Sequence, residues 1–232
     1  MQQRITAVSR NCWFIFLCVH EKRLSLTENN PFVGFTTAAK PRNVMSKLKE
    51  TVRNIDELLK EIIPPEDYQH RNGFGNEHII LSLSETEKME VEKSLIEMLK
   101  KKDDTLIGET LAIMKSKNSL KALKERLESS KNSYVKIIWA SFINEIKHGD
   151  EEMKNIALNE FENVTEKYSL ISTFHHLARF QDSRIKEKIR SYINDKDYLI
   201  AYNSRTSLGI ETKDLIERER AKKKLKKWWQ FW

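Results

Sequence analysis

The sequence predicts an all-α protein, a right-handed α-solenoid of about four helix pairs with a helical N-terminal cap and a C-terminal tail helix. Apolar residues recur in sets whose second and third members lie four and seven positions after the first. Three sets begin at Ile107, Val135 and Leu170. Ile200 takes the same place in a fourth, so the starts lie 28, 35 and 30 residues apart. This recurrence is typical of stacked helix pairs, because each pair buries its apolar face only against its neighbours.

Composition and charge narrow the classes of function. With 6 Gly and 4 Pro in 232 residues and 39% hydrophobic residues, the chain favours helices and can bury a sizeable core. Residues 45–216 contain 28 Lys/Arg and 30 Asp/Glu, whereas residues 1–44 contain six and two, and residues 217–232 seven and two. A groove that follows nucleic-acid phosphates needs a basic surface. The slightly acidic middle of the chain therefore disfavours nucleic acid as a partner.

Residues 1–44 differ in composition from the rest and are interpreted as a poorly ordered extension. Their apolar run, Cys12–Val19, has eight residues, and a helix that spans a bilayer needs about 20. We favour a loosely packed extension or upstream sequence translated before a start at Met45, with a targeting role as the alternative. Cys12 and Cys18 both lie in this run, which indicates neither a disulfide framework nor a Cys-based metal site. We expect a cytoplasmic protein.

Residues 45–83 are predicted to form an N-terminal helix and a loop. Apolar residues on helical spacing predict the helix over Met45–Ile63. Pro64 and Pro65 are expected to end it, because proline lacks the backbone N–H that continues a helix.

The loop that follows contains the dipeptide Asn72-Gly73, which indicates a turn. His70 and His78 lie in the same loop, eight residues apart. A metal site would need a third ligand, and no residue at suitable spacing supplies one. Solvated loop histidines are therefore the favoured interpretation.

Residues 84–210 are predicted to hold the four helix pairs, whose starts are marked by capping side chains. Ser84 and Glu87 have the spacing of a capping box, in which each side chain accepts a hydrogen bond from a free backbone N–H. Asp103 or Asp104 then caps the second helix. That helix spans Thr105–Lys115, and later boundaries fall at Asn118/Ser119, Gly149, Asp150 and Asp182. The predicted buried residues include Met89, Leu95, Met98, Leu99, Leu123, Leu127, Trp139, Phe142, Met153, Phe161, Phe174, Leu177, Ile185 and Ile189.

The stretch Asp197–Gly209, DYLIAYNSRTSLG, resembles the second helix of a HEAT-like repeat, whose pattern is D-x-x-V-R-x-x-A-x-x-A-L-G. The matching residues are Asp197, Ile200, Ser204, Ser207, Leu208 and Gly209. The resemblance implies a HEAT-like repeat domain over residues 84–210. It also implies that the second helices of successive pairs line a concave surface on which ligands dock.

Two classes of enzyme contain similar repeats. HEAT-like alkylpurine DNA glycosylases grip DNA with aromatic and basic residues and a carboxylate on the concave surface. This chain offers Trp139, Tyr202 and Arg205, which do not form that set. Bilin lyases and their relatives match in the repeat alone. A shared fold does not transfer an activity, so no reaction is assigned.

Helical geometry selects the residues of the predicted concave surface. If positions 0, +4 and +7 of each second helix are buried, the opposite face lies near +2, +5, +6 and +9. The predicted partner-binding residues are Glu109, Asn144, Ser172, His175, His176, Arg179, Tyr202 and Arg205. The same offsets select Ser116, Ser141 and Thr206, and the apolar Ile113, Ile137 and Ala140. The alternative is a solvated face without a partner.

His175 and His176 are the strongest candidates for chemistry on that surface, because titratable groups in a groove can signal catalysis. Adjacent helical residues diverge by about 100°, however, so this pair does not readily chelate one ion. No Asp, Glu or Cys stands at a spacing that completes a metal triad or a nucleophile and base. We therefore expect no catalytic residue, metal or cofactor.

Residues 211–232 are predicted to form a basic, Trp-rich helix. On a helix, Leu225, Trp228, Trp229 and Trp232 share one side. The neighbouring cations are Lys222, Lys223, Lys224, Lys226 and Lys227. Three uses fit this pattern: a hydrophobic cap on the last repeat, a partner contact or an anionic membrane interface. The predicted tail contacts are Lys226, Lys227, Trp228, Trp229 and Trp232.

The leading functional prediction is a non-catalytic scaffold that binds a protein or peptide on its concave face. One alternative is a nucleic-acid-binding protein or DNA-repair enzyme that uses the basic terminal segments. Another is a peripheral membrane adaptor that uses the Lys/Trp tail. The sequence does not set the oligomeric state.

Overall fold

The computed structural model describes residues 53–229, with side chains for residues 53–224, and this part of the chain is all-helical. The helices are α1 Ile55–Ile62, α2 Tyr68–Arg71, α3 Glu77–Leu81, α4 Glu85–Lys101, α5 Thr105–Ile113, α6 Leu120–Ser129, α7 Ser133–Ile146, α8 Glu151–Phe161, α9 Lys167–Ala178, α10 Ser183–Arg190, α11 Tyr198–Ser207 and α12 Lys213–Trp229. A 3₁₀ turn, Lys117–Ser119, precedes α6. The predicted fold class is confirmed at this level.

Polar side chains start most of the helices, as the sequence predicts. Ser84 and Glu87 form the expected capping box at α4, and Asp104 rather than Asp103 caps α5. The caps at α8, α10 and α11 are Asp150, Asp182 and Asp197. Each accepts a hydrogen bond from a backbone N–H of the first turn, which has no partner within the helix.

The N-terminal helix is shorter than predicted within the described residues. It begins at Ile55, because Asn54 has extended backbone and its side chain accepts a hydrogen bond from the Asp56 N–H at 3.0 Å. Residues 45–52 of the predicted helix lie outside the described residues. The helix ends before Pro64, as expected.

The predicted loop after α1 contains the short helices α2 and α3, which the sequence prediction missed. The turn at Asn72-Gly73 is confirmed, since Gly73 has φ +72°. The Arg71 guanidinium donates two hydrogen bonds of 2.8 Å to Asp104, and it also donates to the Pro64 carbonyl. This segment is therefore attached to the start of α5.

Of the four predicted helix pairs, α4 with α5, α6 with α7, and α10 with α11 are in contact, whereas α8 of the predicted third pair packs on α7 and α10. We call α4, α6, α8 and α10 the first helices and α5, α7, α9 and α11 the second helices. The second helices pack in series: α5 on α7, α7 on α9, and α9 on α11. Among the first helices, α4 packs on α6 and α8 on α10. The tail helix α12 packs on α11, and α1 packs on α4.

Helix α7 lies at the centre and contacts α5, α6, α8 and α9. Trp139, Phe142 and Ile143 on its predicted inner side are buried as expected. Ile137 and Ala140, which the helical offsets place on the outer face, are also fully buried. That expectation is wrong because neighbouring helices also cover the side of α7 on which these two residues lie.

Helix α4 shows a second departure from the predicted pattern. Met89 is 62% exposed, whereas Val91 is fully buried. The buried stripe runs through Val91, Leu95 and Leu99 at intervals of four residues, and Met89 lies away from it.

A glycine brings α5 and α7 close together. A Cβ atom on Gly108 would lie 2.3 Å from Cζ3 of Trp139 and 2.9 Å from Cδ2 of Phe142. Trp139 is fully buried, and within residues 53–224 its indole N–H has no hydrogen-bond partner. The ring is therefore held by packing alone, in a space that depends on the missing side chain.

We expect Gly108→Ala to lower the free energy of unfolding by about 1–3 kcal/mol, the usual cost of overpacking a core. Urea unfolding followed by circular dichroism measures it. The matched control is Gly75→Ala, since a Cβ at Gly75 meets no atom within 4 Å. Equal stability of the two variants would contradict the close packing at α5 and α7.

Candidate functional site

Arg179 joins three of the second helices through its side chain. It lies at the end of α9, and its Nη1 donates to Oε1 of Glu109 on α5 at 3.1 Å. Its Nη2 lies 2.8 Å from Oε2 of Glu145 on α7, an ion pair without hydrogen-bond alignment. The guanidinium carbon also lies 5.5 Å from the ring centroid of Phe142. We call Glu109, Phe142, Glu145 and Arg179 the Arg179 cluster.

His176 lies beside this cluster and is 9% exposed. Its Nδ1 is 3.3 Å from Oγ of Ser141, and its ring meets Phe142 edge-on at 5.9 Å. Burial, then the charges of His175 and Arg179, lower the pKa of His176 well below 6.5. The imidazole is therefore neutral in the folded protein at neutral pH.

His175 projects from the same turn of α9, and its ring centroid lies 5.5 Å from that of His176. His175 is exposed, yet the surrounding protein atoms and then the positive charge of Arg179 lower its pKa to about 4. His175 is thus also neutral at neutral pH.

Ser141 and His176 resemble a nucleophile and its base in distance alone. Ser141 is fully buried, and its hydroxyl donates to the Ile138 carbonyl at 2.7 Å. Because the hydroxyl proton is used in that bond, the Ser141 oxygen accepts a hydrogen bond from His176 when the imidazole carries its proton on Nδ1. A substrate has no access to a fully buried hydroxyl, so the pair serves packing between α7 and α9.

Within residues 53–224, no group of three or more His, Cys, Asp or Glu residues is arranged to hold a metal ion. His70 instead lies 2.7 Å from the Asp67 carboxylate, in a pair confined to the first turn of α2. His78 is exposed on α3. The two loop histidines therefore lie on different short helices.

Arg205 is a structural residue rather than a surface one. It is 9% exposed and donates to the Ile193 carbonyl at 2.8 Å, to Oδ1 of Asn194 at 3.0 Å and to Oδ1 of Asp214 at 2.7 Å. These contacts join α11 to the segment after α10 and to the first turn of α12. The helical offsets missed this because they do not account for α12, which covers the face.

Asn144 and His176 are the other two predicted partner-binding residues that the structure buries, and Ser116 and Ser141, which the same offsets selected, are buried as well. Oδ1 of Asn144 accepts a hydrogen bond from the Asp150 N–H at 2.8 Å, so this side chain supports the connection from α7 to α8. Of the eight predicted partner-binding residues, five keep part of their surface in solvent. They are Glu109, Ser172, His175, Arg179 and Tyr202.

Tyr202 opens onto a groove of about 670 Å³ between α11 and α12. Its lining consists of Tyr202, Thr206, Gly209, Ile210, Glu211, Thr212, Lys213, Ile216, Glu217 and Arg220. Ile210 is 36% exposed, although it is apolar. The helical offsets found Tyr202 and Thr206 but missed Ile210 and Ile216, because the last two lie beyond α11. The signal in the sequence was an isoleucine directly after the glycine that ends the predicted helix.

The predicted tail contacts fall at the C-terminal end of the sequence. Lys226, Lys227, Trp228 and Trp229 lie beyond the described side chains, and Trp232 lies outside the described residues. The helical backbone of α12 does continue to Trp229. No helix within residues 53–229 has both the length and the hydropathy required to cross a membrane.

No known protein family, no curated protein and no solved structure matches this chain.

We expect Arg205→Lys to lower the free energy of unfolding by about 1–3 kcal/mol, because lysine keeps the charge but cannot reproduce the several directed hydrogen bonds of the guanidinium. Thermal and urea unfolding measure this loss. The matched control is Arg190→Lys, whose side chain is 52% exposed and pairs with Glu187 on its own helix. If both variants unfold alike, the internal role of Arg205 is wrong.

Acid is expected to destabilise the protein through His176. Its folded pKa is lowered, so below pH 6.5 the unfolded chain binds more protons and the free energy of unfolding falls as pH falls. His175 acts in the same direction, down to its pKa of about 4.

Urea unfolding across the range from pH 6.5 to about 4 tests this titration. His176→Asn keeps a donor for Ser141 but cannot titrate, so we expect a flatter dependence of the free energy of unfolding on pH. An unchanged dependence would show that His176 is not the titrating group.

Proposed function

We propose that this chain is a non-catalytic, right-handed α-solenoid of HEAT-like helix pairs that binds a peptide segment of a partner protein on the face of its second helices. The order of packing supports the solenoid: α5, α7, α9 and α11 contact one another in series. In a solenoid each unit rests on the units before and after it. Among the first helices, α4 contacts α6 and α8 contacts α10.

The α11–α12 groove is the observation that carries the binding function. Its volume of about 670 Å³ falls in the usual range for ligand sites, roughly 300–1,000 Å³. Tyr202, Ile210 and Ile216 supply apolar surface, and Glu217 and Arg220 supply charges of both signs. An open groove of this kind suits an apolar side chain of a peptide with polar flanks.

The Arg179 cluster, which lies on α5, α7 and the end of α9, adds a charge preference to the proposed binding face. One guanidinium serves two carboxylates, and the side chains of Glu109 and Glu145 are 38% and 35% exposed. The cluster therefore carries an excess negative charge that reaches solvent. We infer that the bound peptide carries a lysine or arginine in addition to its apolar anchor.

The resemblance to DNA glycosylases gains no support from burial. Trp139 is fully buried and Arg205 nearly so, so neither side chain reaches a DNA strand. Tyr202 alone of the three candidate residues opens onto a groove. Peptide binding is therefore the function that these positions favour.

A random peptide library selected on the full chain tests the proposal. We expect enriched peptides that combine an apolar and a basic residue, and Tyr202→Ala should weaken their binding about tenfold or more, as loss of an aromatic anchor does. The matched control is Tyr68→Ala, since Tyr68 is 49% exposed on α2. Fluorescence polarisation measures the dissociation constants.

Failure to enrich any peptide above an unrelated bait would reject the proposed function. A peptide that loses the same affinity in Tyr202→Ala and Tyr68→Ala would show that the α11–α12 groove is not its site. Unfolding curves of both variants establish that neither change acts through stability.

A further inference from the structure

We propose that the C-terminal half of α12 is a separate interaction surface that binds an anionic lipid bilayer. Helix α12 spans 17 residues, which corresponds to about 25 Å at the usual helical rise. This surface does not depend on the peptide groove.

The first turns of α12 hold it to the body of the protein. Leu215 is 8% exposed, Ile216 lines the groove against α11, and Asp214 accepts a hydrogen bond from the buried Arg205. Farther along the helix the side chains no longer pack against the rest of the protein. Every residue from Ala221 to Lys224 is exposed.

The lysines of this exposed stretch have few ion-pair partners among the described side chains. Among the described side chains, no carboxylate lies within ion-pair distance of Lys222 or Lys224. Lys223 lies 3.9 Å from Glu219 and remains 74% exposed. Lys226 and Lys227 follow in the sequence, on the continuing helical backbone. The end of the helix is thus a concentrated positive charge.

The chemistry of this end favours a bilayer surface over a nucleic acid. Trp228 and Trp229 directly follow the lysines, and tryptophan next to cations is typical of segments that lie at the membrane interface. Each lysine near an anionic leaflet contributes about fivefold to binding. A duplex would need a longer basic track, and residues 45–216 carry two more acidic than basic residues.

Flotation of the full chain with vesicles tests the proposal. We expect binding to vesicles of phosphatidylcholine with phosphatidylserine, loss of binding at high salt, and no binding to phosphatidylcholine alone. The combined change Lys222→Gln, Lys223→Gln and Lys224→Gln should weaken binding by roughly 100-fold. The matched control replaces three exposed lysines of the body, Lys121, Lys131 and Lys186, by Gln.

Three results would overturn the proposal. The first is no binding to the phosphatidylserine vesicles, and the second is an equal loss of binding in the two triple variants. The third is tight binding of duplex DNA through Lys222–Lys224 without vesicle binding, which would assign the lysines to nucleic acid. Circular dichroism melts of both triple variants exclude unfolding, and Tyr202→Ala should bind vesicles as the unchanged chain does.

Discussion

The burial of α7 among four other helices is the constraint on which the rest of the structure depends. Its close approach to α5 requires a residue without a side chain at Gly108, because the rings of Trp139 and Phe142 occupy the space where a Cβ would lie. From α7 the packing continues outward, through α9 to α11 on one side and through α5 to α4 on the other. The second helices are thereby held in a fixed order along the chain.

Several polar side chains that the sequence suggested for ligand binding instead make contacts within the protein. Arg205 fastens α12, Asn144 supports the turn to α8, and His176 packs against Ser141 and Phe142. Groups satisfied inside the protein have little left for a ligand, because a buried donor or acceptor that gives up its partner costs free energy. Among the surfaces that remain exposed are the α11–α12 groove, the carboxylates of the Arg179 cluster and the exposed stretch Ala221–Lys224 of α12.

The α11–α12 groove and the exposed stretch of α12 share one helix and differ in chemistry. The start of α12 closes an apolar groove with Ile216, whereas its end presents Lys222–Lys224 to solvent. The first suits a side chain that is withdrawn from water, and the second suits an extended anionic surface. Arg205 hydrogen-bonds to Asp214 in the first turn of α12 and to Asn194 before α11, so it holds the start of α12 against α11.

The sequence by itself determined the longer helices after Ser84 and most of their starts, although it missed the short helices α2 and α3. Caps such as Asp150 and Asp182, and stripes such as Phe174 with Leu177, are local signals that depend on backbone N–H groups and helical spacing. Only the tertiary structure decided which faces meet water. The offsets placed Ile137 and Arg205 outside, yet the neighbours of α7 and the position of α12 bury them. Helical periodicity identifies one buried stripe per helix, but the number of neighbours that cover the remaining faces depends on packing between distant segments.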